Sequence, residues 1–389
     1  MTKFNRNLML DADSPVESLA IDRKRRSLDD GVGLCLSGGG YRAMLFHVGG
    51  LWRLNELGCL KKLDRISSVS GGSITAGVLG LNWSRLGFDA AGVAAEFESQ
   101  LVAPVRSLAG RTIDRMAILF GLLGPGSISA RVARAYRKHL FGDKTLQDLP
   151  DDPPRFVINA TNVQSGALWR FMKPYMRDWR VGRVSNPSLP LSVAVAASSA
   201  FPPVLSPAQL NLVSSAFDPG SGEDLQREPY TTRVILTDGG VYDNLGLETV
   251  WKNYSTVLVS DGGGKMRLDP RPKRNWVNHV LRVLSVIDNQ VRSLRKRQTI
   301  DSFRKGTRRG AYWGIRTNID DYGLSSALQC DFGKTTELAD VPTRLRKLDA
   351  RTQERLINWG YAVCDAAMRR HVEPGLPAPA GFPYPAVEV

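Results

Sequence analysis

Two short stretches carry side chains whose types and spacing could do chemistry. Ser68-Val69-Ser70-Gly71-Gly72 comes close to the G-x-S-x-G nucleophile elbow, with Ser70 central and a serine in place of the first glycine. Small neighbours matter there, because a serine on a tight strand-to-helix turn has a strained backbone that bulky side chains would crowd. The free N–H groups and dipole of the following helix also favour an alkoxide. The pattern alone occurs in many loops, so Ser70 needs a base before it signifies a nucleophile. Four histidines exist, His47, His139, His279 and His371, and a Ser-Asp-His order would require His279 or His371. Neither lies in a glycine-rich or strand-end context; both read as ordinary surface or packing histidines. The alternative base is a carboxylate. VILTDGGVYDNLG puts Asp238 at a strand end before two glycines, and VLVSDGGG repeats the arrangement at Asp261. A turn aspartate can equally bond its own backbone, and that reading must hold for at least one of the two.

A third stretch, CLSGGGYRAM over residues 35–44, sets three glycines between an apolar run and a helical pattern. Such a loop holds a negative group, either a phosphate that stays bound or an oxyanion that exists only during a reaction. A dinucleotide site wants a third glycine where Ala43 stands and an acid at the end of the next strand, which instead reads SSVSGG. A P-loop would need G-K-[ST], which does not follow.

These turns need a scaffold to bring them together. GVGLCLS (31–37), RISSVS (65–70), RFVINATN (155–162), TRVILTD (232–238) and STVLVSD (255–261) read as strands. YRAMLFHVGGLWRLNELG continues as a helix ending near Gly58, and GGSITAGVLGLNW begins another after the elbow. Strands alternating with helices predict an α/β fold with a mostly parallel sheet. The chain has 389 residues, 42% hydrophobic and 23% charged, which is globular composition with room for a large core and excludes a disordered or fibrous protein. Cys35, Cys59, Cys330 and Cys364 show neither CxxC pairing nor metal-ligand spacing, so they read as reduced thiols, with no metal or cofactor expected. The N-terminal residues lack the apolar stretch of a signal peptide, and no run approaches the ~20 apolar residues that span a bilayer. A soluble, cytoplasmic protein is the expectation.

The ordered set of turns resembles the patatin-like phospholipase family, whose members combine a glycine-rich oxyanion loop, a serine elbow and a D-G-G or D-G-A motif in that order. Here they are Gly38-Gly39-Gly40-Tyr41-Arg42-Ala43, then Ser68 to Gly72, then Asp238-Gly239-Gly240. INATNVQSG (158–166) and ASSAFPPVLSP (197–207) are also similar to family segments, so the resemblance covers about residues 31–263. It departs from the family pattern at Ala43 and Ser68, both small residues.

The resemblance implies a three-layer α/β/α fold and a Ser-Asp dyad without a catalytic histidine. Ser70 would be the nucleophile and Asp238 the proton acceptor; Asp261, on the next strand, would be structural. Gly38, Gly39 and Gly40 would hold the oxyanion, with Arg42 either assisting it or bracing the loop, and Ser68, Gly72, Gly239 and Gly240 would complete the motifs. The implied activity is hydrolysis of fatty-acyl esters of phospholipids or other lipids through an acyl-enzyme. Rival readings keep the dyad in a general esterase, an acyltransferase or a signal-activated membrane-degrading effector, or make the fold a non-catalytic binding module. The division expected is a polar arm over 1–30, a catalytic domain over 31–263 and a basic, mainly helical C-terminal extension over 264–389, which could house a regulatory ligand that nothing identifies.

The net charge of +14 is concentrated: residues 265–310 hold fourteen Lys or Arg against three acids, a net of +11. WVNHVLRVLSVIDNQVRSLRKRQTIDSFRKGTRRG mixes apolar and basic residues at helical spacing, which suits a helix lying on anionic lipid as well as a helix packed on the core with a solvated basic face. Peripheral contact with the inner face of a membrane is the expected partner interaction. No nucleic-acid motif accompanies the charge, so no nucleic acid is expected. MAILFGLLGPG (116–126) reads as a lid, a docking element or a buried helix.

Overall fold

The computed structural model of the protein describes residues 28–113, 127–266 and 268–389. All but the last three residues of the expected polar arm, and the whole apolar stretch 116–126, lie outside them.

Leu34, Cys35 and Leu36 show how the layers are built. Successive side chains of a strand point to opposite faces. Leu34 and Leu36 enter one large apolar cluster with residues of α1 (Gly40–Glu56), α2 (Gly71–Leu81) and α5 (Ala350–His371), while Cys35 enters a second with Val257, Val259, Val250 and Tyr312. The sheet is therefore covered on both sides. Its first cover is α1, α2, α3 (Leu191–Ser198) and α5. The second is the short helix Glu248–Trp251 together with Ile300 and Phe303, near the end of α4 (Trp276–Arg304). This is the three-layer α/β/α fold. Burial on both faces explains why its central strands read as continuous apolar runs.

Among the described residues the sheet has ten strands: β1 (Asp29–Leu36), β2 (Arg65–Val69), β3 (Arg155–Asn162), β4 (Leu168–Phe171), β5 (Tyr175–Asp178), β6 (Gly182–Ser185), β7 (Ala208–Asn211), β8 (Arg233–Asp238), β9 (Tyr254–Asp261) and β10 (Arg309–Gly314). A parallel block runs β10-β9-β1-β2-β3, and an antiparallel meander β4-β5-β6 continues from β3. The five strands read from sequence appear within a residue or two at each end. The meander strands and β7, four residues each, were not anticipated, nor was β10, whose apolar core of three residues lies between glycines. Through β10 and α5, residues 264–389 contribute a strand to this sheet and a helix to its cover.

One register positions the site. Along β3, residues 155–159 pair with β2, ending at Val69 opposite Asn159. The next residue of β3, Ala160, pairs instead with Asp238, because β8 arrives antiparallel and takes over where β2 stops. Two strands thus meet end to end beside a third.

Helices α1 and α5 cross at glycines. A Cβ on Gly49 would collide with the carbonyl oxygen of Ile357, and one on Gly360 with that of Phe46. Beside the crossing, buried Asp365 accepts from Arg53 of α1 at 2.9 Å and from Arg369 of α5 at 2.6 Å. Gly49→Ala is expected to lower unfolding free energy by about 2–3 kcal/mol in denaturant titration. Adding Gly360→Ala should cost less than the sum, since either change already forces the helices apart.

Candidate active site

Ser70 is the hinge between β2 and α2. Its φ of 52° and ψ of −116° put a non-glycine residue in a region that L-residues avoid. Among the described residues only Asn186 shares a positive φ without being glycine. The strain is held by contacts on every side. A Cβ on Gly71 would strike the carbonyl oxygen of Gly40, and one on Gly72 the carbonyl oxygens of Leu36 and Ser37, so the elbow lies directly against the glycine loop. Ser70 N–H donates to Ser198 Oγ at 3.0 Å; that hydroxyl shares a bond with Ser73 Oγ, which donates to Ser68 Oγ, which donates to the Val157 carbonyl. Ser68 thus fills the first elbow position by turning its hydroxyl toward β3.

Asp238 ends β8 and is buried. Its Oδ1 accepts from Gly240 N–H at 2.7 Å, and its backbone is gripped by Ala200 and Thr161, at 3.0 and 2.8 Å. The Ser70 hydroxyl lies in hydrogen-bonding reach of the carboxylate. Burial raises the pKa of Asp238 to about 7, against the lowering by the Gly240 N–H and Ser70, with the charge of Asp288 on α4 adding to the rise. Gly239 is required by close approach, since its Cβ would strike the Asn159 carbonyl. Gly240 sits against the Asn244 side chain, whose backbone carbonyl accepts from Gly38 N–H at 3.0 Å.

That last bond divides the glycine loop. Gly38 N–H is occupied by Asn244, whereas those of Gly39 and Gly40 make no hydrogen bond among the described residues and open helix α1. Gly39 and Gly40 have φ of 149° and 60°, which only glycine adopts readily. Arg42 lies close to the loop, its Nη2 3.1 Å from where a Cβ on Gly39 would sit. Its guanidinium donates to the carbonyls of Gly262, at 3.1 Å, and Val341, and desolvation with nearby Arg292 and Arg316 lowers its pKa to about 10.

The other acid and the histidines stand elsewhere. Asp261 accepts from Tyr312 Oη at 2.7 Å and Gly263 N–H at 2.9 Å and faces Arg292 at 3.6 Å. Although burial alone would raise its pKa, Arg292 and these donors bring it below the ordinary carboxylate value. Such a group is an anchor for α4. His47 is buried between Ser260 Oγ and the Ser37 carbonyl, and desolvation takes it down to about 4. None of the four histidines hydrogen-bonds Ser70. Among the described residues no group of His, Cys, Asp and Glu could hold a metal ion, and no helix is long and apolar enough to cross a membrane.

Ser198 and Asn244 were missed from sequence as positioning residues. Each sits in a stretch singled out for other reasons, ASSAFPPVLSP beginning at 197 and DNLG ending at 246, where nothing reveals a partner more than a hundred residues away. Three cations of the basic segment have partners in the body of the molecule. Arg292 donates to the Gly264 carbonyl, Arg295 meets Glu248 at 3.4 Å, and Lys296 lies 4.7 Å from the ring centre of Tyr312. These cations hold α4 to the body.

A family model described as Patatin-like phospholipase matches residues 34–251. Among solved structures, human GIVD cytosolic phospholipase A2 is similar at 14% identity, with 64% of this chain and 48% of that chain covered and a TM-score of 0.39. The same human protein in complex with methyl gamma-linolenyl fluorophosphonate is similar at 15% identity over 88% and 59% of the two chains, with a TM-score of 0.47. VipD from Legionella pneumophila is similar at 15% identity over 89% and 68%, with a TM-score of 0.35. In the first of these comparisons the chain spans about half the length of the human protein. No curated protein matches the chain.

The strained serine makes its own test. Ser70→Gly removes the hydroxyl and relieves the backbone, so the variant should be inactive yet more stable by about 1 kcal/mol in chemical denaturation.

Proposed function

We propose that this chain, which belongs to the patatin-like phospholipase family, is a lipid acyl hydrolase working through Ser70 and Asp238. The observation that carries the reading is a buried carboxylate at about pKa 7 within hydrogen-bonding reach of a strained serine, beside two unoccupied N–H groups. Asp238 in its ionised form accepts the Ser70 proton as Oγ attacks the ester carbonyl carbon. The carbonyl π electrons move to oxygen, and the N–H groups of Gly39 and Gly40 receive that oxyanion; one such donor is worth roughly 3 kcal/mol in enzymes of this type. The tetrahedral intermediate collapses, the proton on Asp238 passes to the leaving alkoxide, and an acyl-Ser70 ester remains. Water then gives its proton to Asp238, attacks the acyl carbon and returns Ser70 with free fatty acid. A carboxylate held near 7 is a far better acceptor for a hydroxyl proton than one in the ordinary range and is still half ionised at neutral pH.

An apolar rim supports a lipid substrate. Phe201 and Val204 follow Ala200, which bonds Asp238; Val241 follows Gly240; all three are exposed. For the lipid surface itself, the loop ahead of α4 offers exposed Lys265, Arg271, Lys273 and Arg274 around an exposed Leu268. We take this loop as the peripheral contact with anionic lipid. Charge reversal of Lys273 and Arg274 should weaken binding to anionic vesicles by about tenfold or more, at about 1 kcal/mol per lost near-surface cation, and leave binding to neutral vesicles unchanged.

The dyad is tested by a fluorophosphonate probe and by hydrolysis of mixed phospholipids with products resolved by mass spectrometry. Ser70→Ala should abolish labelling, and Asp238→Asn should lower turnover by about 10³-fold or more; persistent labelling in Ser70→Ala would overturn the assignment. The pH profile of kcat/KM should rise with a single ionisation near 7 and flatten above it. Because folding holds the pKa of Asp238 above its ordinary value, this group subtracts stability as pH rises from the ordinary carboxylate range through about 7. Asp238→Asn should therefore be more stable than the parent at pH 8 and gain little at pH 4.

A further inference from the structure

Helix α4 runs 29 residues from an Asn275 cap, whose side chain accepts from Asn278 N–H at 3.0 Å, yet within it only Thr299 and Ser302 are buried. Its second half is tied to the body by Arg292, Arg295 and Lys296, as described above. Beyond Trp276, 78% exposed at the tip, eight apolar residues of the helix are between 39% and 54% exposed: Val277, Val280, Val283, Leu284, Val286, Ile287, Val291 and Leu294. Six of them, all but Val283 and Val286, alternate in spacing three and four over three heptads, the a and d positions of a helix seam. Gln298 and Asp301 end the series.

We propose that this stripe is the contact surface for a second copy of the chain, packed helix against helix. Three observations favour that occupant. The segment 276–294 contains six β-branched residues, which together cost a solvated helix about 3 kcal/mol relative to alanine, so the helix needs a cover to persist. Half-exposed side chains of this number present several hundred Å² of apolar surface, above what monomers leave open and close to the ~800 Å² per partner of a stable interface. A helix lying on anionic lipid carries Lys and Arg on its polar face, flanking the apolar one. Here the first two heptads carry Arg282 and Asp288 as their charges, and three of the later cations, Arg292, Arg295 and Lys296, turn toward the body. The same patch on both copies makes the contact self-complementary, as a two-fold dimer requires.

Sedimentation velocity on the full chain, from roughly 1 to 100 µM, reads the association directly. A species of twice the monomer mass is expected, and Leu284→Asp with Ile287→Asp should raise its dissociation constant about 100-fold or more. Val280→Asp, one turn nearer the tip, should act in the same direction independently. Circular dichroism and Ser70 labelling at dilution check that each variant is folded, since none of the three residues touches the core. A wild-type chain that stays monomeric throughout the range overturns the proposal. So does a dimer indifferent to all three substitutions. Overturning it as well would be a monomer whose binding to anionic vesicles is lost in Leu284→Asp/Ile287→Asp, which would assign the stripe to lipid.

Discussion

The shared edge of β3 is the constraint on which the rest of the molecule depends. Hydrogen bonding to that edge is finite: where β2 ends at Val69, the next position belongs to β8 and to Asp238. Backbone pairing therefore sets the relation between the residue after Val69 and the residue opposite Ala160 within one strand step, about 3.3 Å. No flexible loop lies between the two groups. The end of α3 reinforces the arrangement from one side, with Ser198 holding Ser70 N–H and Ala200 holding Asp238 N–H. Slippage of either strand by one residue would turn its terminal side chain to the opposite face of the sheet.

A second consequence of that edge is energetic. Asp238 lies at the centre of a covered sheet, so its charge is poorly solvated and its proton affinity rises. Asp261 ends the strand two places away, somewhat more exposed, and has Arg292, Tyr312 and Gly263 N–H to favour its ionised form. Two aspartates in nearly identical D-G-G settings are thus driven in opposite directions by their surroundings. The strain at Ser70 is a further local penalty. Both are tolerated because the surrounding helices bury a continuous apolar cluster that either group alone could not unsettle.

Much of this was legible in the residues. The central strands are apolar runs bounded by glycine and aspartate, and the three turns that matter are their C-terminal ends. What could not be read was long-range bonding. Nothing local to Gly38 reveals that its N–H meets the Asn244 carbonyl, leaving Gly39 and Gly40 as the available donors. Nothing local to Arg42 reveals carbonyls at Gly262 and Val341. The basic segment is opaque for a related reason: a sequence counts cations without saying which of them already have partners, and Arg292, Arg295 and Lys296 do. β10 went unseen because its apolar core, Ala311 to Trp313, is three residues long between glycines.

The glycine loop leans on residues far beyond the segment that carries the motifs. Gly40 packs so closely on Arg344 that a Cβ would meet the latter's backbone nitrogen and oxygen at 2.8 Å each, and Tyr41 N–H donates to the Arg344 carbonyl at 3.1 Å. The loop is thus shaped by a strap near residue 344, outside the 34–251 span that matches the family. Transplanting the motif-bearing span into another protein would carry over Ser70 and Asp238 and leave behind a backbone contact that moulds the glycine loop.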